Sequence, residues 1–325
     1  MGNLGTPAEK QRGWSSATFI PMAAMNSSRI LVTGSSGPIG EALLPSLKTG
    51  GYSVTRMVRD QSSGEEQVVW NPLQPLSPKS VSGFDAVIHL AGETIVGRWT
   101  EAKKARIRDS RIVGTRHLAE ALTRTPQPPR VLISASAIGY YGDRGEEILH
   151  EDSPPGVGFL AEVCREWEAA SQPAADAGIR TVQMRFGVVM SPRGGALPKM
   201  LPPFRMGLGG RIGNGRQWWS WIDVKDLIGS IRHALKSELL QGPVNVVAPK
   251  PVRNAEFSKI LATVLSRPSI FPMPAFAARL ALGEMANELL LASQHVEPAK
   301  LIATGYSFQH ADLKPALEAM LSKVR

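Results

Sequence analysis

At 325 residues, with 43% hydrophobic and 20% charged side chains, the chain can bury a large core, as one big domain or a domain with a smaller lobe. A single cysteine, Cys164, excludes an internal disulfide and suits a reducing compartment, so a cytoplasmic location is expected. The net charge of +9 lies in two segments: residues 100–116 hold six basic and two acidic residues, residues 191–217 five basic and none acidic. Neither carries a dense Lys/Arg stripe or a nucleic-acid motif, so no nucleic-acid partner is expected.

Residues 1–27 read as a disordered leader. Their apolar patch "ATFIPMAAM" is broken by Pro21 and leads almost directly into a strand, leaving no spacer for signal-peptide cleavage, and Met22 or Met25 is an alternative start. The first strand, "RILVT" from Arg29, runs into "GSSGPIG". Gly34, Gly37 and Gly40 there permit a tight turn, close backbone approach to a diphosphate and tight packing of helix on strand. Pro38 suits a first helical turn, and the free amides around Ser36, Ile39 and Gly40, with the helix dipole, face an anion.

The second strand, "SVTRMVR", ends at Arg59 and Asp60. An acidic residue at such a tip binds the ribose hydroxyls of NAD, an arginine the 2′-phosphate of NADP; Arg59 comes first and favours NADP. After "VVW", the strand "FDAVIHL" closes on "HLAGE", which brings Leu90, Ala91, Gly92 and Glu93 beside the cofactor, with His89 a packed and satisfied histidine. The histidines have no metal-ligand spacing, so no metal is expected. The helix over 100–122 presents Lys103 and Lys104 as a solvated face and turns Arg108 and Arg111 toward one cleft.

"RVLIS" is a fifth strand, followed by "SASAIGYYGD". A helix over 159–171 sets Phe159, Val163, Trp167 and Ala170 on one stripe, with Cys164 a buried helix residue. "RTVQMRF" and, later, "VNVVA" add strands around the helix 223–236. Between them residues 191–221 form a Gly/Pro-rich loop with at most a short helix, where Arg205, Arg211 and Arg216 with Trp218 suit an anionic ligand and Trp221 is core. Beyond Pro251 the pattern turns helical, with Asn254 as N-cap, and "ATGYSF" reads as a short strand before a terminal helix. No apolar run approaches the ~18 residues that span a bilayer, so no membrane insertion is expected.

Unalternated Val/Ile/Leu strands between helices give an α/β, doubly wound parallel-sheet Rossmann fold over 28–250, with residues 191–221 inserted and a smaller C-terminal α+β substrate lobe over 251–325. The ordered set TGxxGxxG, Arg59, "HLAG", "SASAIGYYGD", "MRFGVV" and "WIDVKDL" resembles the extended short-chain dehydrogenase/reductases of the epimerase and dehydratase branch. More narrowly, "HLAGE", "GYYGDRG", "EDSPPG", "CREWEAA", the 194–222 segment and "ATGYSF" resemble its atypical epimerase-family proteins over residues 29 to about 322. The resemblance implies NADP on Gly34, Gly37, Gly40 and Arg59, with Arg185 opening the segment beneath the nicotinamide. By analogy with superfamily relatives, it also implies a homodimer.

The departure is in the chemistry. The superfamily uses a Ser/Thr after the fifth strand, a tyrosine as general acid/base and a lysine four residues on, which lowers the phenol pKa. Ser136 matches the serine, with Ser134 or Ala137 as alternative alignments. The tyrosine falls on Phe159 or Leu160 and the lysine on Val163 or Cys164, so the relay is missing. Tyr140 and Tyr141 then become candidate acids, beside Ser136 as the group that polarises a carbonyl. Two readings result: an NADP-dependent epimerase-like oxidoreductase of a small, anionic substrate, or a non-catalytic NADP-binding sensor.

Overall fold

Seven parallel strands form one sheet, and its central members carry unbroken apolar runs, Ile30–Val32, Ala86–Ile88 and Val131–Ile133, that only a sheet covered on both faces can bury. The computed structural model describes residues 28–60 and 66–322; the leader expected over 1–27 lies outside the described residues. The first half holds β1 Arg29–Thr33, α1 Pro38–Thr49, β2 Ser53–Val58, β3 Gln67–Val69, β4 Ala86–His89, α2 Glu101–Thr123, β5 Val131–Ala137, β6 Ile148–Leu149, α3 Phe159–Ala170 and α4 Gln172–Asp176. The second holds β7 Arg180–Phe186, β8 Val188–Met190, α5 Leu197–Arg205, β9 Trp218–Trp219, β10 Trp221–Asp223, α6 Val224–Lys236, β11 Gly242–Val246 and β12 Val252–Arg253. The chain closes with α7 Asn254–Val264, α8 Ala275–Leu282, β13 His295–Val296, α9 Ala299–Ala303 and α10 Leu313–Leu321.

The sheet order is β11-β7-β5-β4-β1-β2-β3, all parallel. Strand order therefore reverses between β1 and β4, and the crevice beyond their C-terminal ends is where doubly wound folds take ligands. Ile30, Val32, Ile88, Ile133 and Val182 bury against one helical layer that includes Leu43 and Ile231; Leu31, Val87 and Leu132 face the other, with Leu118 and Leu122 of α2.

A smaller core belongs to the second lobe. Leu197, Leu201 and Phe204, spaced four and three apart, turn one face of α5 onto Trp219, Trp221, Phe257, Leu261 and Leu317. The Gly/Pro-rich segment thus folds with the C-terminal lobe, and its nine-residue helix keeps Pro202 and Pro203 near its C-terminal end. Trp221 is core, as expected, its indole donating to the Lys250 carbonyl.

Three local expectations need correction. "ATGYSF" is not a strand: after α9 the chain runs irregularly, because Asp226, wholly buried, accepts from the Tyr306 hydroxyl and from the backbone of Gln309 and His310, anchoring it side-on. Asn254 is the first helical residue rather than the cap; its side chain accepts from the Ile212 amide instead. Lys103 and Lys104 are not a solvated face: Lys103 pairs with Glu93 at 2.7 Å and Lys104 with Glu284.

Candidate functional site

The turn after β1 is built by omission of side chains. Gly34 has φ +66°, and a Cβ there would lie 2.5 Å from the Leu90 carbonyl carbon, so only glycine lets the β1 turn rest on the end of β4. A Cβ on Gly40 would strike the Gly34 carbonyl, so α1 also packs directly on the turn. Gly37 differs: its φ is −82°, and a Cβ would find only the Gly34 oxygen, at 3.4 Å. That direction is open. No side chain caps α1, Pro38 supplies no N–H, and the first-turn amides with the dipole are left to an external anion. Ser36 and Pro38 are exposed at this mouth, Ile39 half-buried.

The β4 end is strapped to the same mouth. Thr33 Oγ1 accepts from the amides of Leu90 and Ala91, both at 3.2 Å, and its proton then goes to His89 Nδ1 at 2.7 Å. His89 Nε2–H is left to donate to Thr115 Oγ1, which also takes the Trp167 indole N–H. His89 is wholly buried and satisfied, and burial lowers its pKa to about 4. Arg111 donates to the Glu93 and Ile107 carbonyls and stacks on Trp167, supporting the Leu90–Glu93 turn from behind. Arg108 instead pairs with Glu166, so the two arginines do not share a cleft.

Thr33 pairs with Met57, which leaves Arg59 two residues beyond, level with the glycine turn and exposed. The Lys103 ammonium, hydrogen-bonded to Glu93, holds the Glu93 carboxyl below the usual range, and Arg59 is near enough to add to the effect. Gly34, Ser36, Gly37, Pro38, Ile39, Gly40, Arg59 and Leu90 to Glu93 are therefore gathered around one open crevice. A contact missed in the sequence lies beside it: Gly194 has no side chain to collide with Pro38, so the loop after β8 packs directly against the start of α1.

Both alternative placements of the superfamily's pair on α3 are packed: Phe159 meets Trp99 edge-on and Val163 is buried. Leu160 and Cys164 are buried, and burial raises the Cys164 thiol to about 12. One turn on, Glu168 binds Arg185 with two hydrogen bonds of 2.8 Å and accepts the Ser136 hydroxyl at 2.6 Å. Burial opposes the Arg185 charge, but the Glu168 carboxylate more than offsets it and its pKa is raised. Arg185 NH1 also donates to Tyr141 Oη at 2.8 Å, and the Tyr141 hydroxyl donates to Asn245 Oδ1 at 2.7 Å.

This network corrects four expectations. Ser136 is 2% exposed with its proton committed to Glu168, so it is not poised to polarise a carbonyl. Tyr141 is 0% exposed, and burial raises its phenol to about 12, so it is a structural tyrosine. Arg185 belongs to the buried pair rather than to a ligand surface, and Ser134 is buried within β5. Tyr140 alone remains half-exposed, its ring on the Arg185 guanidinium, 3.5 Å from carbon to centroid. The signals for Glu168 were an arginine inside an apolar strand and a glutamate on the stripe that continues Leu160 and Cys164.

The remaining arginines do not converge. Arg211 lines a surface cavity with Arg253; Arg205 and Arg216 are exposed outside it. Trp218 sits between His295 and Arg253 and donates to Glu146. Another residue missed in the sequence lies opposite: Glu288 accepts the amides of Phe159 and Leu160, both at 2.8 Å, capping α3 from the second lobe. Gly158, with no capping side chain of its own, leaves room for it.

The model of the "NAD dependent epimerase/dehydratase family" matches residues 30–247, and that of the "Domain of unknown function (DUF1731)" residues 273–320. The chain is 40% identical over 290 residues to the epimerase family protein Mb2239 of Mycobacterium bovis, covering 89% of this chain and 96% of that protein. Among solved structures, human epimerase family protein SDR39U1 (isoform 2) with NADPH superposes with a TM-score of 0.84 at 35% identity, covering 90% of this chain and 99% of the other. A nucleoside-diphosphate sugar epimerase from Corynebacterium glutamicum superposes at 0.77 and 38% identity, over 91% of this chain and 59% of the other.

Proposed function

The chain belongs to the NAD dependent epimerase/dehydratase family, and we propose that it is an NADP(H)-binding, epimerase-like oxidoreductase of a small, anionic substrate that works without the Tyr/Lys relay. The observation that carries this reading is the crevice at α1: amides without a cap, an open direction at Gly37 and an exposed guanidinium at the β2 tip. The residues fit a dinucleotide. The Ser36, Ile39 and Gly40 amides would take its diphosphate, Arg59 the extra phosphate, and the Leu90–Glu93 backbone would lie alongside. The crystallisation of the human relative with NADPH supports the phosphorylated cofactor.

When bound, the nicotinamide supplies hydride chemistry. Of the two tyrosines that the sequence nominates for the proton, Tyr141 has its hydroxyl committed to Asn245 and Arg185, which leaves Tyr140, its ring held by stacking on Arg185. A second reading, a non-catalytic NADP(H) sensor, is favoured by one observation: packing fills the relay face and commits Ser136. Titration of the purified protein should show tighter binding of NADPH than of NADH, lost in Arg59→Glu; equal affinities would reject the Arg59 assignment. NADPH oxidation coupled to a metabolite and abolished in Tyr140→Phe would establish the enzyme, and coupling unaffected by that change would remove Tyr140 from it.

A further inference from the structure

The second lobe exposes apolar side chains where a water-facing surface would not gain from them. α8 is a superficial helix: of its eight residues only Ala278 is buried, and Phe276 and Leu280, one turn apart, are 71% and 79% exposed. The segment before it continues the ridge, with Ile270 at 69%, Phe271 at 52% and Met273 at 45%. The chain at 208–213 lies against it: Gly210 touches the Phe271 carbonyl, Ile212 bridges Met273, and Leu208 is exposed. An exposed patch of this kind marks an interaction surface rather than ordinary scatter.

The segments that build the ridge and its neighbour are basic. Residues 199–216 and 253–280 together hold eight basic residues and one acidic residue, out of a net charge of +9 for the chain. At the root of the ridge lies a cavity of about 460 Å³, reached by Ile270 and Pro272 and lined by Arg211, Arg253 and Lys259 with Glu256 as the one carboxylate. Arg253 is paired with Glu146, which leaves Arg211, hydrogen-bonded to the Asn214 carbonyl, and Lys259 to face an anion.

We propose that this face docks on an anionic phospholipid bilayer: the α8 ridge sinks among the acyl chains near the headgroups while the Arg211–Lys259 cavity receives a lipid phosphate. The shape favours a bilayer over a protein partner, because a helix exposed on all but one side is convex and a fluid interface conforms to it. The chemistry favours it too, since aromatic and aliphatic tips flanked by cations are what interfacial helices present to anionic membranes. No helix of the described residues is long and apolar enough to cross a membrane, so the contact is peripheral.

The test is co-sedimentation of the full chain with phosphatidylcholine vesicles, with and without phosphatidylglycerol. Wild type should pellet with the anionic vesicles, less so as salt rises. Phe276→Asp/Leu280→Asp should lose binding roughly tenfold or more, and Lys259→Glu several-fold, with unchanged thermal unfolding of each variant. Absence of pelleting, or equal pelleting of the double variant, would overturn the proposal. So would light scattering that shows a wild-type dimer split by the double variant without vesicle binding, because a second copy would then cover the ridge. None of these outcomes depends on the cofactor reading, which NADPH titration of the same variants checks separately.

Discussion

Two surfaces at the C-terminal edge of the sheet are built on opposite plans. At the start of α1 the chain withholds side chains, and backbone amides are left without partners of their own. On the buried stripe of α3 the positions are filled, with Leu160 and Cys164 packed and the Glu168–Arg185 pair tied to Ser136 and Tyr141. A binding surface must stay incomplete until its ligand arrives, whereas the filled face has satisfied its groups internally. The first is open at the start of a helix, and the second is closed by packing and hydrogen bonds within the chain.

The contrast can be broken at either side. Gly34→Val places a branched side chain at φ +66° and against the Leu90 backbone, which should destabilise by about 4 kcal/mol or more, read by urea denaturation. Glu168→Ala strands the 2%-exposed Arg185 side chain without its carboxylate and should cost about 3–5 kcal/mol by the same measurement. A loss below about 1 kcal/mol would mean that the face is looser than described.

Acid should act through the strap between them. The unfolded imidazole of His89 takes up a proton near 6.5, the buried one only near 4, so the unfolded state binds more protons in that window. Stability is therefore fully present above about 6.5 and falls as pH drops to about 4, by about 3 kcal/mol from this group. Replacing His89 with Gln should flatten that part of the stability–pH profile. The two neighbouring tyrosines give the smallest and sharpest comparison. Tyr141→Phe leaves Asn245 and Arg185 short of a partner and should cost about 1–3 kcal/mol, while Tyr140→Phe should change thermal stability by less than about 0.5 kcal/mol.

What the chain order made legible follows the same division. The glycine turn, the sheet strands and the buried places of His89, Cys164 and Trp221 depend on neighbours a few residues away or on simple apolar runs, and these could be read directly. The filled face could not, because Ser136, Glu168 and Arg185 meet from two strands and a helix, and the two tyrosines look equivalent until one is buried. Glu288 reaches α3 across 129 residues of sequence, with the uncapped Gly158 as its only trace. The tail misled for the same reason: Asp226, 80 residues earlier, decides how Tyr306 lies.

The most direct test uses Gly37, the one glycine of the turn where an added Cβ would clash with nothing and would meet only the Gly34 carbonyl oxygen, at 3.4 Å. Its extended backbone accepts valine without strain, so Gly37→Val should unfold at the wild-type temperature yet lose NADPH affinity by about 100-fold or more, measured by calorimetric titration. Wild type that binds no NADPH, or a valine variant that binds it as well as wild type, would contradict the claim that this crevice holds the dinucleotide.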